Sequence, residues 1–163
     1  QVKSLSFIAP AGFGKVQTSI PSFMKIPGVI EWAMHVLADR FYGSAISSET
    51  THSNDPLSIN EKEFQQLFSF QMQFKGFRES LASTMRNFNL FDAREMFEKV
   101  AAKNIPSIAI WGDNDGVVSY KGAETYSEIF QEGKVITIEG GTHDITYRQP
   151  SDVLAAIKIF LDP

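Results

Sequence analysis

Asp115 and His143 have the residue types and the settings for joint proton chemistry. Asp115 follows the apolar run Ile105-Pro-Ser-Ile-Ala-Ile-Trp-Gly112, and His143 follows Val135-Ile-Thr-Ile-Glu-Gly-Gly-Thr142. Each run reads as a short strand ending in a turn of small residues. A carboxylate and an imidazole just past neighbouring strands meet on one rim of a parallel sheet, where open α/β folds hold their ligands. The carboxylate orients the imidazole and stabilises its charged form, so the imidazole can serve as a general base. Such a pair still needs something to activate.

Other polar residues compete for these roles. Asp113 lies two residues from Asp115, and either can instead cap a turn or bond the loop backbone. Asp144, beside the histidine, reads as a loop hydrogen-bonder. His35 on a helical stretch reads as packing or surface, and His52 in a polar loop as solvated. With three histidines and no cysteine, the chain gives no sign of a metal cluster. The Gly12 to Gly14 stretch lacks the Gly-x-Gly-x-x-Gly spacing that cradles pyrophosphate, so it reads as a turn and no cofactor is expected.

The elements that would position the pair follow from hydrophobic pattern. Leu5 to Ala9 is a short apolar strand stopped by Pro10-Ala-Gly-Phe-Gly14. Pro27 can open a helix carrying Val29, Ile30, Ala33, Met34, Leu37 and Phe41 at helical spacing. After the polar loop from Thr50 to Asn60, Ser58 and Glu61 have capping-box spacing ahead of Phe64, Leu67, Phe68 and Met72. Gly76 interrupts that run, and Asp92 with Glu95 opens another amphipathic helix bearing Met96, Phe97 and Val100. From Ile105 onward the order is strand (to Trp111), helix (about Lys121 to Gln131), strand (Lys134 to Ile138) and helix (Ser151 to Leu161). The last helix is expected to bury Val153, Leu154, Ile157 and Leu161. Strands alternating with crossover helices imply a parallel sheet.

Size and charge set the outer bounds. A chain of 163 residues with 43% apolar content can form a sizeable core. A formal charge of -4 leaves no broad basic surface, so nucleic acid is not an expected partner. No apolar run reaches the roughly 20 residues of a membrane helix, since Glu31 and His35 break the stretch from Val29 to Leu37. Absence of cysteine leaves the compartment undecided. The sequence opens at Gln1, without methionine or signal peptide, and runs at once into a strand, the expectation for a fragment of a longer protein.

Ile105-Pro106 leading into Ile110-Trp-Gly-Asp-Asn-Asp115-Gly-Val-Val118, then Gly140-Gly-Thr-His143, then Gln149-Pro150, resembles the C-terminal half of an α/β-hydrolase. Gln73-Phe-Lys-Gly-Phe-Arg78 and Ser83-Thr-Met-Arg86 are similar to cap segments of its esterase and lipase-like branch. The resemblance implies a partial α/β-hydrolase fold of three parallel strands, the family's sixth to eighth, with flanking helices and an inserted all-helical cap. Residues 1–22 and 104–163 would form the core part, and 23–103 the cap. It also puts Asp115 on the family's catalytic acid and His143 on its catalytic histidine. One departure is decisive: no serine here has glycine two residues to each side, so the Gly-x-Ser-x-Gly elbow of the family is missing.

The implied function is that of the cap and C-terminal portion of a serine hydrolase acting on carboxylic esters or related acyl compounds, inactive in isolation. Ten phenylalanines between Phe23 and Phe97 serve mainly as cap core, and an aromatic inner face would favour small apolar acyl substrates. Two alternatives stay open: a dehalogenase or epoxide hydrolase fragment with an aspartate nucleophile, and a non-catalytic binding module. The expected partner is the missing N-terminal half or a second copy joined through the edge of the first strand.

Overall fold

The computed structural model describes residues 2–14, 26, 28–33, 36, 54–87 and 92–162. Its elements are strands β1 (Leu5–Ile8), β2 (Ser107–Gly112) and β3 (Lys134–Ile138), and helices α1 (Glu61–Gln71), α2 (Phe77–Asn87), α3 (Arg94–Ala101), α4 (Gly122–Ile129), α5 (Ile145–Arg148) and α6 (Pro150–Leu161). The chain divides into two compact units: Gln1–Val16 with His52–Ser58 and Phe91–Pro163, and Gln17–Thr51 with Ile59–Leu90.

In the first unit the strands form a parallel sheet in the order β1-β2-β3. Leu5 pairs with Ser107 and Ile8 with Ile110, and across the next ladder Ile108 pairs with Lys134 and Gly112 with Ile138. Every residue of the central strand β2 is buried, which is why it reads as apolar from Ile108 to Trp111. Its side chains alternate between two cores. Ile108 and Ile110 join Ile138, Ile145, Val153 and Ala156 beneath α6, whereas Ala109 and Trp111 join Phe13, Ala123, Tyr126 and Phe130. The second core is aromatic. Phe13 stacks on Phe97 of α3 at 3.9 Å between centroids, and Phe7 meets both rings edge-on.

Helix α6 buries Val153 and Ala156, with Ile157 and Phe160 packed alongside, while Leu154 and Leu161 are 44% and 54% exposed. The expected burial of those two leucines is therefore corrected. Most positions of this helix are apolar, so periodicity alone cannot choose the face that meets the sheet.

In the second unit residues 29–33 are helical and Ile30 is buried, as is Ala82 of α2. Pro27, Met34, Leu37 and Phe41 lie outside the described residues, as do His35, His52, Phe23, Phe88 and Phe91. The capping box of α1 falls on Asn60 and Glu63, not Ser58 and Glu61: the Asn60 side chain accepts from the Glu63 N–H at 3.0 Å, and the Glu63 carboxylate accepts from the Asn60 N–H at 2.8 Å. The Ser58 N–H already closes a turn on the Asp55 carbonyl at 3.0 Å, so it cannot play the cap's donor. Gly76, at φ +87°, turns the chain from α1 into α2. No helix among the described residues is long and apolar enough to cross a membrane.

Candidate active site

Asp115 and His143 come together past the C-terminal ends of β2 and β3. The Asp115 Oδ2 and the His143 Nδ1 are 2.9 Å apart. The Asp115 side chain is fully buried, and that of His143 is 38% exposed. A carboxylate only accepts, so this arrangement puts a proton on Nδ1 and turns proton transfer over to Nε2.

The carboxylate is held for this contact. Its other oxygen, Oδ1, accepts the backbone N–H groups of Val117 at 2.9 Å and Val118 at 2.7 Å, a local turn closed by the side chain itself. Behind it, the indole N–H of buried Trp111 donates to the Val118 carbonyl at 3.0 Å. The loop is thus tied to the end of β2 from one side and to Asp115 from the other. Gly122 lets α4 close over this point, because a Cβ there would meet the Trp111 ring at 2.6 Å.

Asp113 is placed differently. Its Oδ1 accepts the Gly140 N–H at 2.8 Å, and its own N–H donates to the Ile138 carbonyl at 3.3 Å. With the Asn114 N–H on the Gly141 carbonyl at 2.9 Å, these bonds join the turn after β2 to the turn after β3. Of the two aspartates, Asp115 meets the histidine and Asp113 fastens the turns. Asp144 bonds Thr142 and Arg148, the loop role expected of it.

The Val117 and Val118 donors, the Trp111 indole and Arg148 were not singled out from the sequence. The run Asp115-Gly-Val-Val118 carried a signal for the first two, since aspartate bonding backbone N–H groups two and three residues on is a common turn. Arg148 lies four residues after Asp144 on what becomes a helical turn, the spacing of a side-chain pair. A cavity of about 640 Å³, lined in part by Arg94, Asn104, Pro106, Glu128 and Gly133, opens at the start of β2 and β3. It lies at the opposite end of the strands from Asp115 and His143. Among the described residues, no cluster of His, Cys, Asp or Glu has the arrangement of a metal site.

A parallel sheet with helices on both faces, carrying an acid and a histidine on successive strand ends, is the arrangement of an α/β-hydrolase, and the chain has that fold. It superimposes over 99% of its length on a bromoperoxidase from Bacillus anthracis, with a TM-score of 0.71, 18% identity and 58% of that protein covered. A thermophilic esterase from Thermogutta terrifontis matches over 98% of the chain at a TM-score of 0.61 and 14% identity, with 55% of it covered. In sequence, the chain is 29% identical over 129 residues to Lipase 3 of a Moraxella species, spanning 69% of this chain and 41% of that lipase. No family model matches. The chain spans about half the length of these relatives.

Proposed function

We propose that this chain supplies the acid and the base of a serine hydrolase acting on carboxylic esters or related acyl compounds, the nucleophile lying outside these 163 residues. The observation that carries this reading is the buried Asp115 carboxylate, fixed by two backbone N–H groups and aimed at His143 Nδ1. In this mechanism His143 takes the hydroxyl proton of the serine as it attacks the acyl carbon, then returns it to the departing alcohol. Asp115 holds the tautomer that makes Nε2 the base and stabilises the imidazolium formed during attack. The lipase and esterase among the similar proteins support ester substrates.

The test is hydrolysis of p-nitrophenyl acyl esters by the full-length gene product, by the 163-residue chain alone, and by the full-length His143→Ala variant. Expected are turnover by the full-length protein, none by the chain alone, and a loss of about 10³-fold or more on removing the imidazole. Full activity without His143 would overturn the reading.

A further inference from the structure

We infer that Asp144 and Arg148 form a brace that positions the His143 imidazole, so that Asp144 is a positioning residue for the base. This rests on the proposed role of His143.

One carboxylate fixes the chain on both sides of the histidine. The Asp144 Oδ1 accepts from the hydroxyl of Thr142, the residue before His143, and Oδ2 accepts from Arg148 Nε at 2.9 Å. The Asp144 carbonyl accepts the N–H groups of Tyr147 at 2.8 Å and Arg148 at 3.0 Å, so the acceptors of this residue organise the whole of α5. Neither arm floats in solvent: Thr142 is 7% exposed and the Arg148 side chain 12%. A second closure lies outside the first, where the Gln149 Nε2 donates to the Glu139 carbonyl at 3.1 Å. The segment from Glu139 to Gln149 is therefore a loop pinned at two levels, with fully buried Ile145 anchoring its middle.

The ring of His143 projects from this loop, and its side chain is more than a third exposed. The bond to Asp115 can orient the ring only while the backbone carries it within reach of that buried carboxylate. A charge-assisted bond from guanidinium to carboxylate is strong and directional, suited to holding that backbone. Asp144 does not compete for the imidazole, because its two oxygens are turned to Thr142 and Arg148. Asp115 faces the ring and Asp144 holds the ring's base: two adjacent turns thus divide orientation and support between two carboxylates.

The experiment reads the imidazole itself by nitrogen and proton NMR on the ¹⁵N-labelled full-length gene product. In the wild type, the Nδ1-protonated tautomer is expected, with a slowly exchanging downfield Nδ1 proton bonded to Asp115. Asp144→Asn removes the negative charge and one of the two acceptor oxygens, and Arg148→Gln removes the cation from the other side. Either is expected to abolish that resonance and mix the two tautomers while amide dispersion elsewhere stays that of the folded protein. Arg148→Lys, which keeps a cationic donor, is expected to retain the resonance. Should Asp144→Asn fail to fold, Arg148→Gln carries the same test. A wild-type resonance surviving in the folded Asn and Gln variants overturns the brace alone. A wild-type protein without the resonance overturns the pairing of Asp115 with His143, and the brace with it.

Discussion

Gly112 at the end of β2 and Gly141 in the turn after β3 touch backbone to backbone. A Cβ on Gly112 would run into the Gly141 carbonyl, and one on Gly141 would come within 2.9 Å of the Gly112 Cα. The separation of Asp115 from His143 depends on this contact, because each follows one of the two glycines by two or three residues. Gly112→Ala is expected to force the turns apart, with an overpacking cost of about 1–3 kcal/mol in urea denaturation. The Asp115 to His143 bond should weaken in the same variant. A variant as stable as the wild type, with the imidazole unchanged, would show that the approach is not required.

A second test addresses the support beneath the sheet. The Tyr126 hydroxyl donates to Ser107 Oγ at 2.8 Å, both residues being buried. Tyr126→Phe leaves the serine hydroxyl without this partner, at an expected cost of about 1–3 kcal/mol. Ser107→Ala in the same background should recover part of that loss, so the two changes together cost less than their sum. Burial pushes the Tyr126 phenol above its ordinary value of 10.0, only partly offset by the Ser107 bond. A raised folded-state value means full stability below the unfolded value and progressive loss as pH climbs through the folded one. The wild type should thus show an alkaline decline above pH of about 10 that Tyr126→Phe lacks. Additive costs, or identical alkaline limbs, would count against the buried pair.

Asp55 links distant parts of the first unit. Its Oδ2 accepts the Ser151 N–H at 2.8 Å, and its Oδ1 accepts the Ser151 hydroxyl at 2.8 Å and the Leu57 N–H at 2.8 Å. It caps α6 from 96 residues away in the chain. Partial desolvation raises its carboxyl value, but the bonds from Leu57 and Ser151 outweigh it and leave the carboxyl below its ordinary range. With the folded-state value depressed, the stabilisation is present above the unfolded carboxylate value and disappears as pH falls through the folded one. Asp55→Asn should be less stable than the wild type near neutral pH, with the gap closing in acid. Parallel stability curves for the two proteins across that range would remove Asp55 from the acid response.

The expectations that survived rest on patterns with few physical solutions. A run as short as Ile108 to Trp111, apolar throughout and set between turn residues, fits a strand covered on both faces better than a helix, and it is one. The pairing of Asp115 with His143 was legible for a related reason, since successive parallel strands bring their ends to one rim. Less legible was anything decided by competition for a single donor. Ser58 and Asn60 both offer capping spacing, and the choice depends on a bond to the Asp55 carbonyl that spacing does not reveal. The face of α6 was hidden by its excess of apolar residues. The Asp55 to Ser151 link, spanning most of the chain, leaves no local trace at all.

Asp113 and Asp115 make the sharpest comparison, because they are two residues apart and chemically identical. Asp113 is exposed and accepts one backbone N–H, from Gly140. Asp113→Ala should therefore cost about 0.5–1.5 kcal/mol of stability and leave the imidazole paired. Asp115→Asn is nearly isosteric and keeps an oxygen for Val117 and Val118, but it offers His143 an amide N–H in place of an acceptor. The ring must then accept through Nδ1 and carry its proton on Nε2, the tautomer that cannot deprotonate a serine. In the full-length gene product, Asp115→Asn should lower kcat on acyl esters by about 10³- to 10⁴-fold, with the fold intact. Asp113→Ala should lower it by less than about tenfold, the scale of one exposed hydrogen bond. If the larger loss falls on Asp113, the acid of the proposed mechanism is misassigned, because the carboxylate bonded to the turn would then be governing the base.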